Sequence, residues 1–352
     1  MLRIDVLPAQ RGDGIWLSYD DGAATRHVLI DAGPQETIAT LVPELEQRIS
    51  AVPGRVGKIE LFVITHIDAD HIQGAVALLS DHRRVQVFRD VWFNGFRHLG
   101  LLGGPDGERL TAALAEHPTR WNAAFDHDAV VLPDDGPLPT RQLRGGVTIT
   151  LLGPTKAALA RLAPEWAKAC ARAGIVPGAG ASIAKKSWQR EGLLGRFEPD
   201  LLASLPFRSD RSAPNGSSIA FIVEHGRRRV LFLGDAHAGP VADALDRLGP
   251  GPHRFDAVKL SHHGSRANTS LALLERIQSP RWIISSDGAQ FEHPDAECLA
   301  RVVVSQRRPT FYVNYLSEEV ADLIAGAGDR YRVIGPGQRR DGTPREGITI
   351  TL

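Results

Sequence analysis

Apolar positions along this chain fall into two rhythms, and the places where one gives way to the other are where its reactive side chains collect. Leu2–Leu7 and Gly14–Tyr19 alternate or run apolar about the turn Gly12-Asp13-Gly14, which predicts an opening β-hairpin or meander. Val28-Leu29-Ile30 predicts a further strand, and it ends in Asp31-Ala32-Gly33-Pro34. Ile38, Leu41, Leu45 and Ile49 then recur at helical spacing over Thr37–Ile49. Next, Ile59, Leu61, Phe62, Val63 and Ile64 form an apolar, partly β-branched run that reads as a buried strand. It stops at Thr65-His66-Ile67-Asp68-Ala69-Asp70-His71, before Ile72, Gly74 and Ala75–Leu79 begin a second helical pattern. The order is strand, loop, helix.

The pattern continues less regularly. Val85–Phe88 and Val91–Phe93 predict short strands, Asn94–His98 a loop, and Gly107–Glu116 and Pro118–Phe125 helical segments. Val147–Leu152 is a strand closed by Gly153-Pro154. From Lys156 to Pro214 the composition shifts: alanine-rich helical sequence over Ala157–Ala173 leads to Gly178-Ala179-Gly180-Ala181 and then to Lys185, Lys186, Arg190 and Arg196, with Arg208 and Arg211 beyond. This predicts a helical insertion or lid over 156–214 inside a single domain spanning 1–352. Its basic residues either meet a phosphate-bearing substrate or form a solvated charged face, the commoner use. Strands then return at Ile219–Val223, Val230–Leu233, Ala257–Leu260 and Trp282–Ser286.

These later strands also end in chemistry. Asn215-Gly216-Ser217-Ser218 precedes the first, Gly234-Asp235-Ala236-His237 closes the second, and Ser261-His262-His263-Gly264-Ser265 closes the third; Asp287 and Glu292-His293-Pro294 follow the fourth. Strand ends along one edge of a sheet core bring such groups together. Imidazole and carboxylate in the His66–His71 cluster suit zinc and harder first-row divalent ions such as manganese. The plainer reading, an acid capping the next helix, accounts for Asp68 or Asp70 but for neither histidine. Asp31 has two readings, an acceptor that orients a ligand histidine or a turn former before Gly-Pro. His98, alone among aromatics, reads first as a packed or surface residue.

Composition narrows the field. In 352 residues there are 41 Lys and Arg against 41 Asp and Glu, so there is no global basic field for indiscriminate nucleic-acid binding. Cys170 and Cys298 are too few for a disulfide framework and read as buried small hydrophobes. With neither a leader-like start nor an apolar run of membrane-spanning length, the expectation is a cytoplasmic protein that makes no membrane contact.

Taken as an ordered set, Gly12-Asp13-Gly14, Leu29-Ile30-Asp31-Ala32-Gly33, Thr65-His66-x-Asp68-x-Asp70-His71, Asn215-Gly-Ser-Ser, Leu231-Phe-Leu-Gly-Asp235 and Lys259-x-Ser-His262-His263-Gly-Ser resemble the metallo-β-lactamase superfamily. Asp68 and the His-His-Gly-Ser element resemble, within it, the hydrolase domain of ComEC-type DNA-uptake proteins. The resemblance implies an α/β fold, an αββα four-layer sandwich of two similar halves, with two divalent cations, zinc or manganese, at one edge.

Carried over by position, it makes His66 and Asp68 ligands of a first metal and Asp70 and His71 ligands of a second. Asp235 would bridge them, and His262 or His263 would complete the second site. His262 is the preferred ligand, with His263 facing substrate. Two departures stand out: Asp68 replaces the usual second histidine, and the Asn215 stretch replaces the histidine ahead of the bridging acid. The implied activity is hydrolysis by a water shared between the cations, which Asp70 and Asp235 hold and orient. His293 is the candidate to stabilise developing charge or protonate the leaving group, or else a structural residue before Pro294. The leading substrate is a phosphodiester in nucleic acid or a nucleotide, as for a nuclease. Carboxylic ester, lactone or thioester hydrolysis is the alternative, and a non-catalytic metal-binding module the third reading.

Overall fold

A computed structural model of the chain describes residues 1–95, 98, 105–172, 197–289, 292–338 and 345–352. In chain order come β1 (Leu2–Val6), β2 (Ile15–Asp20), β3 (Thr25–Ile30), α1 (Ile38–Ala51), β4 (Leu61–Val63), α2 (Ala69–Leu78), β5 (Val91–Trp92) and α3 (Pro105–Ala115). They are followed by β6 (Thr140–Leu143), β7 (Val147–Leu151), α4 (Lys156–Arg172), α5 (Pro199–Ser204), α6 (Ala213–Gly216), β8 (Phe221–His225), β9 (Arg228–Phe232) and α7 (Ala238–Asp246). The remainder is β10 (His253–Arg254), β11 (Ala257–Lys259), α8 (Leu271–Leu274), β12 (Ile277–Gln278), β13 (Arg281–Ile284), α9 (Ala296–Ser305), β14 (Thr310–Val313), α10 (Glu318–Ala325), β15 (Arg332–Ile334) and β16 (Ile348–Thr351).

The strands build two large sheets. One runs β16-β1-β2-β3-β4-β5, the other β15-β14-β13-β11-β9-β8-β7-β6, and β10 and β12 form a small pair of their own. Both large sheets follow one plan. Antiparallel pairing joins β1, β2 and β3, then β4 and β5 add in parallel. In the second sheet β6 to β9 pair antiparallel, then β11, β13, β14 and β15 add in parallel. Parallel strands need crossovers, which here are helices lying on the outer faces.

Alternation along β4 shows how the layers meet. Leu61 and Val63 enter an apolar cluster shared with Ile149, Phe221, Leu231 and Trp282 of the second sheet. Phe62 and Ile64 point the other way, into a cluster with Leu41 and Leu45 of α1, Ile72 and Leu78 of α2 and Leu110 of α3. A strand buried on both faces must be apolar throughout, which is why 59–64 shows no polar alternation. On the far side, Val241, Leu245, Leu299 and Val302 of α7 and α9 cover the second sheet. The result is the expected four-layer αββα sandwich.

Local expectations fail in two places. Residues 85–88 do not form a strand. His82–Val87 winds as a 3-10 helix, started by the Asp81 side chain accepting from Arg83 N, and Phe88 bridges Ile59. Pro118–Phe125 is broken into two 3-10 turns because Asn122 takes a left-handed backbone, φ 51°. Its side chain is pinned there by Phe93 N, Phe93 O and Asp128 O.

Of the expected insertion, α4 packs Trp166 against Gly107 of α3 and near the Phe93 ring. The basic positions Lys185 to Arg196 lie outside the described residues. Cys298 is buried within α9 as a free thiol. Among the described residues, no helix is long and apolar enough to cross a membrane.

Candidate metal centre

Parallel strands deliver their carboxyl ends to one edge, where open α/β sheets place their ligand sites. At the end of β3 stands Asp31, and beyond β4 come Thr65 to His71. From the second sheet, β9 leads to Asp235, β11 to His262 and His263, and β13 to Ser285.

Asp68 occupies the N-cap position of α2 with extended backbone but makes no side-chain cap bond. Its carboxylate instead faces His66, with Oδ2 3.7 Å from Nε2. Asp70 and His71 then sit in the first turn of the helix. The helix lies close to the end of β3 because Gly74 has no side chain. A Cβ there would come within 1.8 Å of the Ala32 carbonyl oxygen.

Three buried histidines, His66, His71 and His263, are held at Nδ1 and open at Nε2. His71 Nδ1 donates to Asp31 Oδ2 at 2.8 Å, so Asp31 serves as the orienting acceptor, and its carboxylate is further fixed by Thr65 N and Thr65 Oγ1, both at 2.7 Å. His263 Nδ1 donates to the Ser285 carbonyl at 2.7 Å. His66 Nδ1 meets Thr65 Oγ1 at 3.0 Å. On the other side, His66 Nε2 lies 3.6 Å from Asp235 Oδ2, His71 Nε2 3.4 Å from Asp235 Oδ1, and His263 Nε2 3.5 Å from Asp70 Oδ2. Those three Nε2 atoms and Asp235 Oδ1 are buried and lack a hydrogen-bond partner among the described residues.

Orphaned polar atoms in a protein interior are costly, so four of them facing one another call for a shared partner. Two ligand atoms each about 2.0–2.1 Å from a tetrahedral zinc stand about 3.3 Å apart, close to the separations here. The donor set of imidazole and carboxylate therefore fits a divalent cation. Among the described residues, donor atoms gather in three such sets: His66, His71 and Asp235; Asp70, His71 and His263; and Asp13, Asp31 and His71. The last is engaged otherwise, since Asp13 pairs with Lys259 and Asp31 holds His71.

Electrostatics follow from the crowding. Burial and the neighbouring His71 depress His66, but Asp235 and Asp68 outweigh them and its pKa is raised. Burial also works against protonating His71, yet Asp235, Asp31 and Asp70 hold its pKa well above the ordinary imidazole value. Conversely, burial would protonate Asp235 and Asp70, but the surrounding histidines, His71 foremost, keep both carboxylates below their usual range.

His262 and His263 part company. Both have left-handed backbones, φ 47° and 55°, and Gly264 follows at 93°. Such conformations cost energy in non-glycine residues and persist where the surroundings enforce them. His263 turns inward and joins a donor set. His262 stays partly open, its Nδ1 3.1 Å from Asn268 Oδ1 and 3.8 Å from Asp210 Oδ2, its Nε2 3.9 Å from Asp235 Oδ2. Of the two rings expected to share the roles of ligand and substrate contact, with His262 preferred as ligand, it is His263 whose donor atom lies with those of Asp70 and His71. Asn215 donates from Nδ2 to Asp210 at 2.7 Å, and its Oδ1 is buried without a hydrogen-bond partner among the described residues. The His293 ring lies 5.1 Å from that of His262, and burial followed by His262 pushes its pKa down to about 3.

Several residues around the centre escape a reading of the sequence. Asp210 falls in the stretch read as insertion, and nothing in its neighbourhood marks it. Asp13 is visible only as the middle of a Gly-Asp-Gly turn. Lys259 does leave a signal, a lysine inside the apolar strand that leads to His262.

No family model matches the sequence, and no curated protein matches it. Among solved structures, the Zn2+-bound PqqB from Methylobacterium extorquens is similar at 14% identity and TM-score 0.39, with all of both chains covered. The metallo-β-lactamase fold protein YhfI from Bacillus subtilis is similar at 10% identity and TM-score 0.40, again over both whole chains. A diphosphatase from the PhnP family is similar at 12% identity and TM-score 0.38, over 97% of this chain and 85% of that one. These likenesses carry no activity to this chain; the solved structures similar to it include proteins of the metallo-β-lactamase fold.

Proposed function

We propose that this protein is a metal-dependent hydrolase whose substrate is a phosphodiester. The observation that carries the reading is the set of orphaned, buried donors, His66 Nε2, His71 Nε2, His263 Nε2 and Asp235 Oδ1, meeting at one sheet edge. His66, Asp68 and Asp235 would hold one cation, and Asp70, His71 and His263 a second that shares Asp235. The mixed donors accommodate zinc or manganese. Bound there, the cations would bring a water's pKa toward neutrality and polarise a phosphoryl oxygen.

The chain's own groups do the rest. Asp31 and the Ser285 carbonyl fix the ring tautomers that leave Nε2 free to coordinate. Asp70 and Asp235 stay ionised and orient what sits between them. His262, the most open of these imidazoles, is placed to give a proton from Nε2 to a leaving group. His293 is neutral at physiological pH, so it would serve as a hydrogen-bond partner to developing charge rather than as an acid. Of the stretch 156–214, expected as an insertion or lid within one domain, Asp210 comes within 3.8 Å of His262 Nδ1. Nucleic acid or a nucleotide, met in the cytoplasm, is the partner this reading implies.

The test pairs elemental analysis with turnover of bis-p-nitrophenyl phosphate and of ester and lactone panels, on wild type and Asp70→Ala. One to two equivalents of metal, lost in the variant together with phosphodiester turnover, sustains the reading. Turnover confined to esters or lactones moves the substrate class. Failure to take up metal overturns the centre itself.

A further inference from the structure

Lys259 lies at the end of β11 and is 1% exposed; Asp13, in the turn between β1 and β2, is 2% exposed. The ammonium reaches Asp13 Oδ2 at 2.9 Å and the Leu260 carbonyl at 3.0 Å. A buried ion pair repays its desolvation poorly, and apolar residues of similar volume often serve stability as well. This pair therefore calls for a reason other than holding the two sheets together.

The second oxygen of Asp13 supplies one. Oδ1 is buried without a hydrogen bond and lies 3.6 Å from His263 Nδ1, whose proton goes to the Ser285 carbonyl. Asp13 thus backs the inward-turned imidazole with negative charge while Lys259 anchors the other oxygen. The turn that carries it is fastened at every side. Ser285 Oγ donates to the Gly12 carbonyl at 2.9 Å, and Gly33 N donates to the Asp13 carbonyl at 2.8 Å. Gly12 lies so close to α2 that a Cβ would fall 2.0 Å from the Asp70 carbonyl oxygen. One turn therefore touches the backbone of Asp70, the ring of His263 and the loop after β3 that holds His71.

We propose that Asp13, with Lys259 as its counter-ion, is a positioning residue that sets the cation affinity of the pocket formed by Asp70, His71 and His263. The inference rests on reading those three as metal ligands. Negative charge behind an imidazole raises the basicity of the nitrogen that coordinates, and the fixed turn holds the ring against rotation. Lys259 keeps that charge in place as a carboxylate.

The test is a zinc titration against a chromophoric chelator, with thermal melts of the same metal-free samples, for wild type, Asp13→Asn and the double variant Asp13→Asn/Lys259→Met. In Asp13→Asn, zinc at one position is expected to weaken about 10–100-fold while the other position keeps its affinity. The double variant removes the stranded ammonium, so its melting temperature should recover relative to the single variant while zinc at that position stays weak. Stability regained without affinity is what a mere strut cannot produce. Wild-type affinity in either variant overturns the proposal; should Asp13→Asn fail to fold, the double variant decides alone. A wild type that takes up no zinc sinks the ligand reading itself, an outcome distinct from equal affinities across the series.

Discussion

Asp31 and His71, both sealed from solvent, share a hydrogen bond of 2.8 Å between Oδ2 and Nδ1. That bond keeps Nδ1 a donor and turns Nε2 toward Asp235, 3.4 Å from Oδ1. In Asp31→Asn the charge is lost and an amide must face Thr65 N, Thr65 Oγ1 or the imidazole with the wrong group. Zinc affinity is expected to fall about 10–100-fold, measured by chelator competition. Unchanged affinity would mean that His71 needs no orienting anion.

The two adjacent histidines should separate cleanly in mutagenesis. His263→Ala removes a buried donor, so metal content should drop. His262→Ala leaves the donor sets intact, so metal content should hold while phosphodiester turnover falls by about 10²-fold or more. Elemental analysis beside initial rates checks both, and the opposite pattern would restore His262 as the ligand.

Proton linkage gives the metal-free protein an unusual stability profile. His71 has a folded pKa well above 6.5, so its contribution is complete below about 6.5 and is lost as pH rises through the raised value. Asp235 has a folded pKa well below 3.8, so its contribution is present above about 3.8 and is lost as pH falls through the depressed value. After chelation, melting temperature should peak in mildly acidic buffer and decline toward alkaline pH. With zinc the alkaline limb should flatten or reverse, because coordination needs the neutral ring. Parallel melts across pH, with and without zinc, read this directly.

Close packing of α2 yields a prediction independent of chemistry. Gly74→Ala would drive a methyl group into the Ala32 carbonyl and disturb the 2.8 Å bond from Gly74 N to Gly33 O. A stability loss of about 3 kcal/mol is expected in denaturant titrations. A loss near zero would show that the helix can move off the strand at no cost.

Much of this arrangement is legible in the residues alone. The buried run at 59–64 and the hydrogen-bonding side chains after it mark strand, loop and helix, because a strand covered on both faces has no room for polarity. Repetition of that pattern at Asp31, Asp235 and His262/His263 marks the edge where they meet. What stays hidden is pairwise and long-range. The dipeptide His262-His263 does not tell which ring turns inward, since that depends on Ser285 arriving from the end of β13 and on Asn268 further along the same loop. Residues 85–88 mislead because Val85 and Phe88 are buried at a spacing that suits a tight helical turn as well as a strand. Asp13 reads as turn chemistry until Lys259 is found beside it.

β16 pairs antiparallel with β1, setting Thr351 opposite Arg3 and Ile348 opposite Val6. The sheet that carries His66 is thus completed by a segment from the far end of the chain. During synthesis, the outer edge of β1 stays open until Ile348–Thr351 has emerged, and an open strand edge is a template for pairing with other chains. Contacts of such sequence separation delay collapse to the final topology, since loop closure must precede any reward. Loss of β16 would be felt first as aggregation of nascent chains and only afterwards as a missing edge strand.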